Sequence, residues 1–563
     1  MQTHTPILKQ LAAVGAVFSW FIPAFSYAQE SEVFEPVGVI PPSAGLLVIG
    51  IIIFGIVLSK IWMGIMNVSL LHDEPLDSIE RRKPYLPSFR TVVATVACTA
   101  GMFFLSLKAM GGIEPFDGPN ATTKAAIFFG IAGAISVLLQ YFWPKAREYI
   151  FACTVGTVIT FLLLGSNRMI FDPSHQQNAF FMALGIVCVV MVWRFLFGPW
   201  SPPIKATVLG TFIFWAGLYM FLREPAVDRL AHAIATVIAL IPAVIWCMLF
   251  LKDHAQRMSL VVLMFFAGML STAPILYYDA MVRNGVELQF FIFRIVPENF
   301  TRTSNAFVAG NLSSITGIRS TLMVTFISFL IVGVIEELSK FWVLKKSGTR
   351  FFSSIDDVLQ LSIIVAIGFA FAENLMNPTY YISFVREYLM NPETPQWGGF
   401  LGNVLGRAIL TNMVHILATG VIGYFYGLAL FADPYMADAT KEGRVQFLPN
   451  LLHRITQVPE TIVFRRQSLF IGISAAVFLH GAYNFLVTLP DLLPGQPRTV
   501  GDLLGSPPDS LLHYIALLIV PSLLYVVGGF WILSILFYKK ECIKERGCVV
   551  EKSTFVKQET VWA

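Results

Sequence analysis

In the last third of the chain, Glu336, Glu337, Lys340, Glu373, His415 and His480 sit inside apolar runs. A charge at the centre of a membrane helix costs about 2.5 to 3.5 kcal/mol, so an ionisable residue kept there is read as functional. In Val334-Ile335-Glu336-Glu337-Leu338-Ser339-Lys340, helical geometry puts Glu336 and Lys340 four apart on one face, acid before base. One carboxylate can then be neutralised by the lysine, while Glu337 points about 100° away and is free to face a partner helix. Desolvation suits such a carboxylate to general acid or base work. Glu373 follows Gly368-Phe-Ala-Phe-Ala and precedes Asn374, near the middle of a span if the helix runs on to about Val385 and Pro378 only kinks it. His415 continues a stripe of Arg407 and Thr411, with Thr419 one turn further; Gly423 and Gly427 allow close helix approach nearby. In His480-Gly-Ala-Tyr-Asn484, His and Asn share a helical face, where an amide can orient an imidazole or share a ligand with it. The HExxH zinc motif, the nucleophile elbow, a Gly-rich phosphate loop and an intramembrane Gly-Ser nucleophile pattern are absent. His232, Asp356-Asp357 and Trp531 fall near span ends or in the aromatic belt and are read as structural.

The elements that must hold these groups are membrane helices. Of 563 residues 56% are hydrophobic and 13% charged, against about 25% charged in soluble domains, which excludes a soluble enzyme. The net charge of +4 is dispersed, so nucleic acid is not an expected partner; the lipid bilayer is. Six cysteines carry no CxxC pair, which argues against a disulfide framework or a thiolate zinc site. The expected fold is an all-α polytopic membrane protein. About thirteen spans are expected, near 44–66, 91–111, 124–143, 150–166, 179–197, 206–222, 230–251, 259–278, 320–344, 358–385, 404–431, 468–489 and 511–537. Residues 1–28 read as a signal peptide, with an apolar stretch from Leu11 to Phe25 and Ser26-Tyr27-Ala28 before acidic residues. With the mature N-terminus outside, the clusters Arg81-Arg82-Lys83, Lys345-Lys346, Arg465-Arg466 and Lys539-Lys540 fall on the cytoplasmic side, with the C-terminus.

Glu-Glu-x-x-Lys (336–340), Phe-x-x-x-Glu-Asn (369–374), His415 in a Gly/Thr-rich helix and His-x-x-x-Asn (480–484), in that order, resemble the PrsW family of intramembrane proteases. That family looks related to CAAX-prenyl endopeptidases and bacterial self-immunity membrane proteases, whose second motif carries His where this chain has Glu373. The resemblance divides the chain into an additional multi-span region at 29–318, a protease core at 319–490, a final span at 491–538 and a cytoplasmic tail at 539–563. It implies hydrolysis of peptide bonds in membrane-anchored regulatory proteins, anti-sigma factors among them, in a bacterial cytoplasmic membrane. Glu337 or Glu336 would be the general base, with Glu373, His480 and Asn484 holding the water and stabilising the oxyanion. Glu337, Glu373, His415 and His480 could equally hold Zn²⁺, because imidazole and carboxylate together suit that ion. Lys340, Asn374 and Asn484 are the supporting residues. Two other classes compete: a non-catalytic membrane scaffold or chaperone whose polar residues only lock helices together, and a proton-coupled transporter relaying through Glu373 and His480.

Overall fold

The computed structural model describes residues 147–171, 179–198, 200–252, 256–283, 288–290, 293–295, 318–376, 381–390, 404–441 and 446–545, with single positions at 139, 142 and 443. The signal-peptide reading, the expected spans at 44–66 and 91–111, all but two positions of the one at 124–143, and the tail beyond 545 lie outside them. The chain forms two compact units, one made of 1–83 with 87–158, the other of 84–86 with 159–563. All the ionisable residues singled out above belong to the second.

Within the described residues α1 is Arg147–Phe171, α2 Ala179–Leu196, α3 Pro202–Arg223 and α4 Ala226–Leu251. The expected span at 259–278 is two helices, α5 Met258–Leu270 and α6 Ala273–Arg283, interrupted at Ser271 and Thr272 just ahead of Pro274, which has no N–H to continue a helix. The interruption frees the Ser271 carbonyl, which accepts a 2.7 Å bond from the Ser339 hydroxyl. Irregular backbone at membrane depth persists only where neighbours satisfy it in this way. A short antiparallel ribbon, β1 Leu288–Phe290 and β2 Phe293–Ile295, pairs Leu288 with Ile295 and Phe290 with Phe293. Everything else described is helical: α7 Ile318–Gly348, α8 Ile355–Met376, α9 Tyr381–Met390, α10 Asn412–Leu430, α11 Ala432–Lys441, α12 Phe447–Thr456, α13 Glu460–Leu492, α14 Val500–Leu504 and α15 Ile519–Glu545. Among the described residues, eight helical stretches are long and apolar enough to cross a membrane. The chain is a multi-pass membrane protein.

α8 stands at the centre of its unit, packed against α10, α5 and α4. It is buried on nearly every side, as a helix apolar around most of its circumference among other helices must be. At the α8–α10 crossing, a side chain on Gly423 would strike Ser362, and one on Gly427 would press on Ile355. α4 and α15 lie at the outside. Their exposed Val237, Ile241, Ile245 and Met248, and Leu524, Val527 and Trp531, form the kind of surface that lipid covers.

The described part of α8 ends at Met376 and the next described helix, α9, begins at Tyr381; the expected continuation through Pro378 lies outside the described residues. α10 is entered through a π-helical segment, Gly406–Thr411. There the Ala408 carbonyl accepts from the Trp246 indole at 2.8 Å and from the Asn412 amide at 3.0 Å. Such π segments recur at functional sites; this one carries Arg407.

Candidate active site

Four helices bring the ionisable residues together. α7 and α13 approach so closely that a side chain on Gly333 would lie 3.1 Å from the Val477 carbonyl, and one on Gly481 3.2 Å from the Leu330 backbone. Gly333 is one turn before Glu337 and Gly481 adjoins His480, so the glycines set the spacing at which these two side chains meet. His480 Nδ1 lies 2.8 Å from Glu337 Oε1. The same oxygen accepts from the Lys340 ammonium at 2.7 Å, and Oε2 accepts from the Thr419 hydroxyl at 2.9 Å. Glu337, Lys340 and Thr419 are fully buried.

Every bond to Glu337 is charge-assisted or buried. The sequence pairs Lys340 with Glu336 at four-residue spacing. In the structure its short contact is to Glu337, three residues away, with Glu336 Oε2 at 3.7 Å. Lys340 does not snorkel to the interface. Its ammonium lies 3.9 Å from the centroid of the Phe369 ring, a cation–π contact, and 3.0 Å from His415 Nδ1. His415 Nε2 lies 2.9 Å from Glu373 Oε2. Arg407 donates to Glu373 Oε1 at 3.3 Å and to Asn374 Oδ1 at 2.5 Å. The rings of His415 and His480 stand edge to face, 5.0 Å apart. Glu336, Glu337, Glu373, His415, His480, Lys340 and Asn374 thus form one network, joined by Arg407 and Thr419. Those two were visible in the sequence as members of the His415 stripe, at spacings of four. Asn484 behaves differently: among the described residues only its backbone carbonyl is bonded, to Thr488, and Glu337 rather than this amide orients His480.

Glu336 is the exception in the network. Its Oε2 is buried with no hydrogen-bond partner, although His480 Nε2 lies only 3.5 Å away. An ionised Glu337 accepts only, so His480 Nδ1 carries a proton, and in the neutral imidazole Nε2 offers a lone pair. A bare imidazole nitrogen and a bare carboxylate oxygen then face one another, an arrangement that calls for a proton, a proton-donating water or a cation. Glu336, His415 and His480 each offer a ligand atom, all within 4.8 Å of one another and all buried. One carboxylate and two imidazoles are a donor set that borderline divalent metals accept. Glu337 is committed to Lys340, His480 and Thr419, and Glu373 to Arg407 and His415; His415 meets Lys340 through Nδ1 and Glu373 through Nε2, so a metal there would displace one of those contacts. Among the described residues, the three carboxylates and the two fixed cations of the network leave one negative charge over when both imidazoles are neutral.

A buried, hydrogen-bonded cluster of carboxylates, imidazoles and cations between membrane helices defines a polytopic membrane protein with an intramembrane polar centre. Residues 256–504 match the family described as PrsW family intramembrane metalloprotease. The matched stretch includes α5 and α6 as well as the four motif-bearing helices. No curated protein and no solved structure matches the chain.

Proposed function

We propose that the protein hydrolyses peptide bonds of membrane-anchored protein segments, with Glu336 as the residue that handles the water proton. The observation that carries this reading is the Glu336 Oε2, buried with no hydrogen-bond partner 3.5 Å from His480 Nε2. An attacking water donates a proton to Glu336 as its oxygen bonds the scissile carbonyl carbon. Glu336 returns that proton to the amide nitrogen when the C–N bond breaks. Glu337 acts through His480, fixing its tautomer and ring orientation, and Thr419 and Lys340 fix Glu337 in turn. Glu373 does the same for His415.

Glu373 and Arg407 are the least buried members, their side chains 22% and 16% exposed. The accessible edge of the network therefore presents a carboxylate and a guanidinium, groups that bind a peptide amide and carbonyl respectively. The guanidinium also suits the negative charge that develops on the carbonyl oxygen. Asn484, half-buried and with its amide unused among the described residues, is a further donor for the substrate backbone.

Glu336, His415 and His480 would also be the donors for a divalent ion such as zinc; Glu336 would then serve as a ligand instead of the proton acceptor, and the ion would supply polarisation of the carbonyl and of water. The substrate is a single-span regulatory protein such as an anti-sigma factor, cleaved in a bacterial cytoplasmic membrane. The family match and the burial of the network support this reading. The test is cleavage of a fluorogenic transmembrane peptide by the purified protein. Wild type cleaves it, Glu336→Gln folds but does not, and equal cleavage by both would sink the assignment.

A further inference from the structure

On α3, one turn inside the helix, Lys205 is 4% exposed. Its ammonium donates to the Lys346 carbonyl at 3.2 Å and lies 5.9 Å from the centroid of the Phe351 ring. The charges that bear on it are those of Arg350 and Lys346, both repulsive. No carboxylate among the described residues pairs with Lys205, Lys345, Lys346 or Arg350. The last three are exposed, at the basic end of α7 and in the 3₁₀ turn Thr349–Phe351. Ser347, between them, has a buried hydroxyl with no hydrogen-bond partner.

A buried ammonium with cations for neighbours is costly unless an anion completes it. The described residues supply none here. Lys345 and Lys346 alone would be ordinary surface lysines at a span end; the buried Lys205 beneath them distinguishes a site from a charged rim. The position identifies the anion's chemistry. Lys205 opens a stretch, Pro202–Phe221, that crosses the membrane, which puts it at the depth of the headgroups. Basic pockets between membrane helices at that depth take anionic phospholipid.

We propose that Lys205, Lys346 and Arg350 form a binding site for a phosphate oxyanion, that of an anionic phospholipid headgroup, separate from the Glu336 network. The phosphate supplies the counter-charge that α3 and α7 lack, and so ties the start of α3 to the end of α7. The hydroxyl of Ser347 is a further donor within the same turn.

The test uses the full chain in nanodiscs of phosphatidylcholine, of phosphatidylcholine with phosphatidylglycerol, and of phosphatidylcholine with inorganic phosphate in the buffer. Thermal unfolding and native mass spectrometry of retained lipid are read for wild type, Lys205→Met and Arg350→Gln. Wild type should unfold at a higher temperature with phosphatidylglycerol and keep that lipid. Lys205→Met should be more stable than wild type in phosphatidylcholine alone and gain nothing from phosphatidylglycerol. Arg350→Gln, an exposed change that leaves the interior intact, should bind phosphatidylglycerol about fivefold more weakly. An equal rise with inorganic phosphate would assign the site to free phosphate instead of lipid. If wild type and Arg350→Gln respond identically to both anions, or neither responds, the site does not exist, whether or not Lys205→Met folds.

Discussion

Glu337 and His480, separated by 143 residues in the chain, share a buried 2.8 Å hydrogen bond. Two more donors close on the same carboxylate, leaving the adjacent Glu336 with a free oxygen. Two consecutive glutamates therefore have unlike roles, one orienting and one reacting.

Exchanging each should separate those roles. Glu336→Gln removes no hydrogen bond seen in the structure, so protein level and thermal stability should stay near wild type while cleavage is lost. Glu337→Ala takes from the buried Lys340 ammonium its short partner, leaving Glu336 at 3.7 Å, and should cost about 3 to 5 kcal/mol. Thr419→Val, which orphans one Glu337 oxygen, should cost about 1 to 3 kcal/mol. Unfolding of the purified proteins in detergent measures all three.

The sequence carried much of this centre. Glu336, Glu337, Glu373, His415 and His480 stand out because each interrupts an apolar run, where only a specific use repays the charge. Which carboxylate meets which base was not legible. Four-residue spacing favours Lys340 with Glu336, yet Glu337, three residues away, makes the shorter contact, at 2.7 Å against 3.7 Å. The phase shift of the π segment before α10, which presents Arg407 to Glu373, leaves no mark in hydrophobic periodicity.

The close α7–α13 approach should be measurable at Gly481. Gly481→Val must push Leu330 away and separate Glu337 from His480, lowering cleavage at least tenfold and stability by about 1 to 3 kcal/mol. Gly528→Ala, on α15 with open space around it, should change neither and is the control.

Metal analysis of the purified protein should find zinc in stoichiometric amount. Glu336→Ala and His480→Ala should lose it, and Asn484→Ala should keep it. Chelation should abolish cleavage by wild type, and zinc should restore it. Zinc retained by Glu336→Ala would remove that residue from the donor set.

Between α13 and α15, Asp502 caps α14 through Thr499, accepting from the backbone N–H of Thr499 at 2.9 Å and of Arg498 at 3.1 Å. The Thr499 hydroxyl, these N–H groups and nearby His513 hold its carboxyl below the usual aspartate range. A lowered folded value means the cap contributes fully above the unfolded value, about 3.9, and is lost as pH falls through the folded one. Amide exchange in 499–505 should therefore quicken in acid relative to Asp502→Asn, whose exchange should show no such step.

The most direct test of the central claim is quantitative sequencing of new protein N-termini in membranes from cells expressing wild type, Glu336→Gln or His480→Ala at matched levels. The account predicts termini in or beside membrane segments with wild type and their loss in both variants. Identical termini in all three, with the variants folded, would contradict it and bring forward the scaffold and transporter readings.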